Sequence, residues 1–324
     1  MKPKVVVATK AAEVFDALQD KADYVMGLYT REVYEALAKD TRLVIIDFDD
    51  LVPHPDTSMD MLRSVLAESG ALVVTSDDFL AQPDRWLDEA KRKGKGRDPL
   101  EKLCIAFTSY SGGTGKTTLA LDTALHFARR TKLPVMLMEF TYGVSALDMM
   151  TGQEMPHLFD LTTQLDIEPT RWKGVSLIPM DYENCQDLTM GFINNYVKKQ
   201  MADHVLTVID SQWPHGLIGA VKDEVDQWLV VAAPRLVAVE NAEKLRAELN
   251  PNASVIINQN GGLFDSLALS GRERALTLPR VKNPDRFDGE LGKRVLEWLY
   301  EKTWKQYEKG FWNEFRERFR RSGR

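Results

Sequence analysis

The chain has 324 residues, enough for one large or two ordinary domains, and its 44% hydrophobic and 28% charged content suits a soluble globular protein with a real core. A net charge of −6 argues against a protein that is basic overall, and no apolar stretch approaches the ~20 residues that span a bilayer. Two cysteines, Cys104 and Cys185, make no disulfide framework, and the apolar run after Lys4 is too short for a signal peptide, so a reducing cytoplasm is the default expectation.

The first ninety residues alternate short apolar runs with helical spacing. Strands are expected at 5–8, 22–28, 43–48 and 71–75, with helices at 11–19, 32–38 and about 59–68. The third strand ends in an acidic run, Asp47, Asp49 and Asp50. Such alternation implies a parallel, doubly wound sheet whose ligand edge lies at the carboxyl ends of its strands. This order resembles a response-regulator receiver domain over residues 1–90. Asp47 falls where that family carries its phosphorylated aspartate, and Thr75 where it carries a hydroxyl. Thr9 and Lys10 stand where a metal-binding acidic pair belongs, so the resemblance implies a degenerate domain that binds protein partners. Residues 91–102 hold six basic and two acidic residues with two glycines and a proline, which reads as a self-repelling, solvated tether.

The most informative stretch comes next. A short apolar strand at 103–107 runs into Ser111-Gly112-Gly113-Thr114-Gly115-Lys116-Thr117-Thr118, and a helical pattern follows at once. Strand, glycine loop and helix are the context of a phosphate-binding loop. Glycines let backbone N–H groups turn onto phosphate oxygens, and the helix aims its positive end at the same anion. Lys116 would reach the β- and γ-phosphates of ATP or ADP, Thr117 would ligate Mg²⁺, and Thr118 would bond the α-phosphate. A further strand at 133–140 contains Glu139, and one at 205–210 ends in Asp210, the carboxylate expected to hold Mg²⁺ from a strand tip. Strands at 226–233 and 254–257, a helix at 237–249 and the strand-end Asn258 complete the pattern.

Residues 103–299 resemble the ParA/MinD superfamily of ATPases. Gly112, Gly113, Gly115, Lys116 and Thr117 match its variant loop, and Gly143, Leu147, Asp148 and Gly152 match the segment after the second strand. The resemblance implies ATP and Mg²⁺ as ligands, catalytic roles for Lys116, Asp210 and Glu139, a contact from Asn258 to adenine, and a face-to-face homodimer. It also exposes two departures. The leading lysine of the loop is Ser111, and the second carboxylate of the D-x-D motif is Thr141. Losing both predicts good ATP binding with slow hydrolysis, or none.

The chain closes on a helix from about Leu291, and residues 300–324 read as a separate basic, aromatic amphipathic segment. Phe311, Phe315 and Phe319 recur every four residues among Arg316, Arg318, Arg320, Arg321 and Arg324. That pattern fits an anionic membrane surface, a partner contact, or packing on its own domain. The expected fold is therefore α/β, with two doubly wound parallel-sheet domains, a small receiver-like one followed by a P-loop NTPase domain. The domain order resembles the TadZ/CpaE type, which implies positioning of Tad-type pilus machinery at a cell pole. Two other readings stand beside it, a scaffold that binds nucleotide without hydrolysing it and a DNA-partition or flagellar-positioning ATPase. The net acidity weighs against DNA as the track.

Overall fold

The computed structural model describes residues 2–93, 98–164, 166–249, 252–260, 276–282, 287 and 289–322, with the backbone alone at 260, 302 and 308–322. Contacts sort the chain into two compact units, Met1–Glu101 with Lys302–Arg324, and Lys102–Glu301.

The first unit is built on β1 (Lys4–Ala8), β2 (Asp23–Met26), β3 (Thr41–Ile46) and β4 (Leu72–Val74). All neighbours are parallel, in the order β2-β1-β3-β4. Because side chains alternate across a strand, Val5, Val7, Leu43 and Ile45 face one layer of helices, where they meet Val14, Leu18, Phe79, Leu87 and Ala90. Val6 and Val44 alternate with these along their strands and are equally buried, as are Val33 and Leu62. Two helices, Ser76–Ala81 and Pro83–Arg92, occupy a stretch for which the sequence pattern gave no element. Their starts are set locally: the Thr75 hydroxyl accepts from the Asp78 N–H, and Pro83 takes a first-turn position that needs no N–H donor.

The acidic run is wired into this unit. Asp47 accepts from the Thr9 hydroxyl at 2.6 Å and from the Ser76 N–H at 3.0 Å. Burial pushes the Asp47 carboxyl up, but the Ser76 and Thr9 bonds outweigh it and hold it below the usual carboxylate range. Asp50 accepts from the Lys10 N–H at 2.8 Å. Thr75, expected to present its hydroxyl to this edge, bonds Asp78 instead.

Part of the stretch read as a tether is anchored. Asp98 accepts from the Lys39 N–H at 2.9 Å and from Gln306 Nε2 at 3.1 Å, and its carbonyl accepts from the Tyr307 hydroxyl at 3.1 Å. Tyr34 donates to the Leu100 carbonyl. The partners on the carboxyl side come from a helix spanning Glu290–Ser322, which breaks at Glu301 (φ 44°, ψ −114°). The break coincides with the change of unit. Trp304 and Tyr307 are buried. The side chains of Phe311, Trp312, Phe315, Phe319 and the neighbouring arginines lie outside the described residues.

The second unit holds β5 (Leu103–Ser109), β6 (Val135–Phe140), β7 (Thr170–Trp172), β8 (Val175–Ile178), β9 (Leu206–Gln212), β10 (Gln227–Ala232), β11 (Ala253–Asn260) and β12 (Leu276–Pro279). The order is β12-β11-β10-β5-β9-β6-β8-β7, parallel throughout except the β7–β8 hairpin at one edge. Near-continuous apolar strands such as β6, Val-Met-Leu-Met-Glu-Phe, are what a sheet covered on both faces requires, and all six residues of β6 are buried. Cys104, Ala106, Met136, Met138 and Ile209 pack with Ile193, Val197 and Leu245 from two helices, Met190–Ala202 and Leu236–Leu249. The helix Lys116–Thr131 packs on β5, β6, β8 and β9.

That same helix anchors the start of the last one. Both oxygens of buried Asp122 accept backbone N–H bonds, from Gly289 at 2.9 Å and Gly292 at 2.8 Å, which satisfies donors a helix N-terminus leaves open. The backbones approach so closely that a Cβ on Gly292 would lie 2.4 Å from the Asp122 carbonyl oxygen. Gly292→Ala is expected to cost about 1–3 kcal/mol by overpacking. Gly191→Ala, in a helix where a Cβ meets nothing within 4 Å, should be neutral or stabilise by up to ~1 kcal/mol. Urea denaturation of both variants checks the pair.

Candidate nucleotide-binding site

The site forms at the carboxyl ends of the central strands. β5 lies between β10 and β9, and β9 lies between β5 and β6, so consecutive β5 and β6 leave a slot that a later strand fills. Ligands of open α/β sheets bind at such points. In register, Asp210 of β9 stands beside Phe107 of β5 and Glu139 of β6.

The glycine loop joins β5 to the helix that opens at Lys116. Gly113 (φ 72°) and Gly115 (φ 77°) take the left-handed conformation that side chains disfavour. At Gly115 a Cβ would also sit 2.6 Å from Asn258 Nδ2. Gly112 is exposed at an ordinary φ, and the buried Thr114 hydroxyl lies 3.4 Å from Ser109 Oγ. Thr117 and Thr118 are half-buried in the first turn of the helix.

Lys116 Nζ donates to Asp210 Oδ1 at 2.8 Å, with Asp210 fully buried and Lys116 nearly so. Asp210 Oδ2 is buried without a hydrogen-bond partner. Glu139 is fully buried beside them and accepts from the Ser145 hydroxyl at 2.6 Å and the Ala146 N–H at 2.9 Å. Burial first, and then the Asp210 charge, raise its carboxyl to about 7, against the pull of Ser145, Ala146 and Lys116. Lys116, Asp210 and Glu139, the three residues expected to be catalytic, thus share one buried electrostatic unit.

A cavity of about 660 Å³ adjoins the loop, lined in part by Gly115, Thr118, Asn258, Gln259, Arg280 and Lys282. Both ends of the Asn258 amide are used within the protein. Nδ2 donates to the Thr114 carbonyl at 2.9 Å, and Oδ1 accepts from the Gln259 N–H at 2.9 Å. The strand expected to stop at 257 continues to Asn260 through a register irregularity, with Gln259 at φ 60°. Sequence reading missed Arg280 and Lys282. The only signal for them is position: they follow β12, the parallel neighbour of β11, so they reach the same edge as Asn258. It also missed Tyr142, Tyr182 and His215, which cluster beyond Thr141.

The residues fit a magnesium nucleotide on two observations. The loop glycines adopt conformations that free backbone N–H groups, and Asp210 keeps one oxygen without a partner. Among the described residues no group of three His, Cys, Asp or Glu side chains could hold a metal. A magnesium ion would therefore draw most of its ligands from phosphate and water, as Mg²⁺ commonly does. At Ser111 the loop is exposed and offers no cation. Thr141 Oγ1 is a buried atom without a partner and supplies no carboxylate.

No protein-family model matches the chain, and no curated protein matches its sequence. Solved structures do match its fold. A ParA family ATPase from Chlorobium tepidum superposes with a TM-score of 0.51 at 15% identity, covering 64% of this chain and 98% of that one. The cell division ATPase MinD of Pyrococcus furiosus gives 0.49 at 18% identity, over 60% and 99%. A MinD from Pyrococcus horikoshii complexed with Mg-ADP gives 0.47 at 16% identity, over 63% and 92%. At these identities the likeness shows the fold: an α/β protein with the P-loop sheet of the ParA/MinD ATPases. Among the described residues no helix is long and apolar enough to cross a membrane.

Proposed function

We propose that the chain binds ATP with Mg²⁺ at the glycine loop and acts as a slowly hydrolysing nucleotide switch that dimerises and positions a cellular assembly. The observation that carries this is the Lys116–Asp210 pair beneath the loop, a cation and a metal-type carboxylate brought together from residues 94 apart in sequence. Bound Mg²⁺, held through Thr117 and Asp210, would neutralise phosphate charge. Lys116 would leave Asp210 for the β- and γ-phosphates, and the loop N–H groups would hold the remaining oxygens. Arg280 and Lys282 border the space left for base and ribose beside Asn258.

The assembly we favour is Tad-type pilus machinery at a cell pole, on the order of the two units. The receiver-like unit serves as a protein-binding module, because Asp47 is already satisfied by Thr9 and Ser76. The likeness in fold to a ParA family ATPase supports a nucleotide-dependent ATPase as the broader class. A second reading, a scaffold that keeps its nucleotide, is favoured by Ser111 and Thr141.

Light scattering with ATP, with ADP and without nucleotide tests both, with released phosphate followed in the same samples. A dimer that needs ATP and Lys116, turning over on the order of 10⁻³ s⁻¹ or slower, is the expected result, since P-loop sites without an added arginine work in that range. A dimer in every condition with no phosphate released supports the scaffold. Absence of nucleotide binding removes both.

A further inference from the structure

Tyr142 follows the strand-end Thr141 and closes a small aromatic cluster. Its ring centroid lies 4.5 Å from that of His215 and 4.5 Å from that of Tyr182. His215 meets Tyr182 at 5.2 Å and Phe140 at 5.9 Å, both edge-on. The Tyr142 hydroxyl accepts a 3.0 Å hydrogen bond from the Gly216 N–H. One side chain therefore fastens the segment leaving β6 to the segment leaving β9. The second segment is also tied to the root of the glycine loop, because the Trp213 N–H donates to the Ser109 carbonyl at 3.2 Å.

The fastened arrangement leaves its polar atoms unsatisfied. Thr141 Oγ1, His215 Nε2 and Asp210 Oδ2 are all buried without a partner. The Leu217 N–H donates to His215 Nδ1 at 3.3 Å, which puts the ring proton on Nε2. Burial holds the imidazole below its ordinary pKa, although the Thr141 carbonyl pulls the other way. Unmade hydrogen bonds of this kind favour a second arrangement in which they are made. The first segment is held again at Ser145 and Ala146, which donate to Glu139, while Val144 between them and Tyr142 is 80% exposed.

In P-loop switches, segments of this kind are ordered by contacts to the terminal phosphate and its metal, and a backbone N–H is a donor such a phosphate can take. Here the Gly216 N–H is already occupied by a phenol. We propose that Tyr142 sets the discrimination between nucleoside triphosphate and diphosphate, its hydroxyl competing with the terminal phosphate for the Gly216 N–H. A triphosphate must break the Tyr142–Gly216 bond, whereas a diphosphate leaves it intact. The inference rests on the nucleotide-switch reading above.

Tyr142→Phe keeps the ring packing and removes the competitor. Calorimetric titration of the full chain with Mg-ATP and with Mg-ADP reads the effect. In Tyr142→Phe, ATP affinity should rise ~2- to 12-fold, the range of one net hydrogen bond, while ADP affinity stays unchanged. An equal rise for both nucleotides, no change, or a fall in ATP affinity would each overturn the competition. Trp213 supplies an independent readout: its emission should change with ATP and not ADP, with Trp213→Phe as the blank, and reach half-change at lower ATP in Tyr142→Phe. A half-change concentration that does not move also counts against it. If the wild type binds neither nucleotide, the switch reading itself falls, an outcome distinct from binding without discrimination.

Discussion

Lys116→Ala should destabilise the nucleotide-free protein by about 3–5 kcal/mol, the cost of leaving one member of a buried ion pair without its partner. For a unit of this size that corresponds to a fall in Tm on the order of 10 °C. The reason lies in the asymmetry of the pair. Lys116 retains 11% side-chain exposure and a flexible stem, whereas Asp210 has none and cannot turn to water. Removing the ammonium leaves Asp210 beside Glu139 in the same buried space, two carboxyls in adjacent register with no cation between them. The double variant Lys116→Ala/Asp210→Ala should recover most of the stability without recovering nucleotide binding. Urea unfolding of the three proteins, with ATP titration of the same samples, checks the set. A Lys116→Ala protein as stable as the wild type would mean that the 2.8 Å pair carries no weight in the nucleotide-free state.

Much of this architecture was legible because it is periodic. Apolar runs ending in an acid or a glycine loop marked β3, β5 and β9 within two or three residues, and the Lys116 helix began where the loop said it should. Burial on both faces writes itself into a strand as uninterrupted Val, Ile, Leu and Met. Pairing does not write itself anywhere. That Asp210 meets Lys116, and that Glu139 lies beside it, follows from β9 inserting between β5 and β6, which no local pattern encodes. The helices between Ser76 and Arg92 were missed because their starts depend on single caps, Thr75 and Pro83, and not on a long apolar stripe. The break at Glu301 falls at the start of the segment read as separate from residue 300, but the backbone kink itself carries no signature among these residues. Asp122 looked like one more helical charge, yet it caps the last helix from 167 residues away. The Tyr142–Gly216 bond depends on a backbone N–H, which carries no sequence signature at all.

Glu139 predicts a pH dependence of stability with a definite sign. Its folded carboxyl titrates near 7 against an unperturbed 4.5. Between those values the folded state binds more protons than the unfolded one, so stability falls as pH rises through this window. Below it Glu139 is neutral in both states and costs nothing. Above it the buried charge persists at a cost of about 3 kcal/mol, from ~1.4 kcal/mol per pKa unit. Glu139→Gln should remove this slope. At pH 8 the variant should be more stable than the wild type by about 1–2 kcal/mol, because the amide still accepts from one donor but loses the second at ~1 kcal/mol. At pH 5 the order should reverse slightly. Asp210→Asn separates the causes: it should flatten the slope without abolishing it, since burial is the larger contribution and the Asp210 charge the smaller. Chemical denaturation at half-unit pH steps from 4.5 to 8 reads all three proteins. Parallel curves for the wild type and Glu139→Gln would show that Glu139 ionises normally, and that its place beside Asp210 is less buried in solution than the geometry makes it.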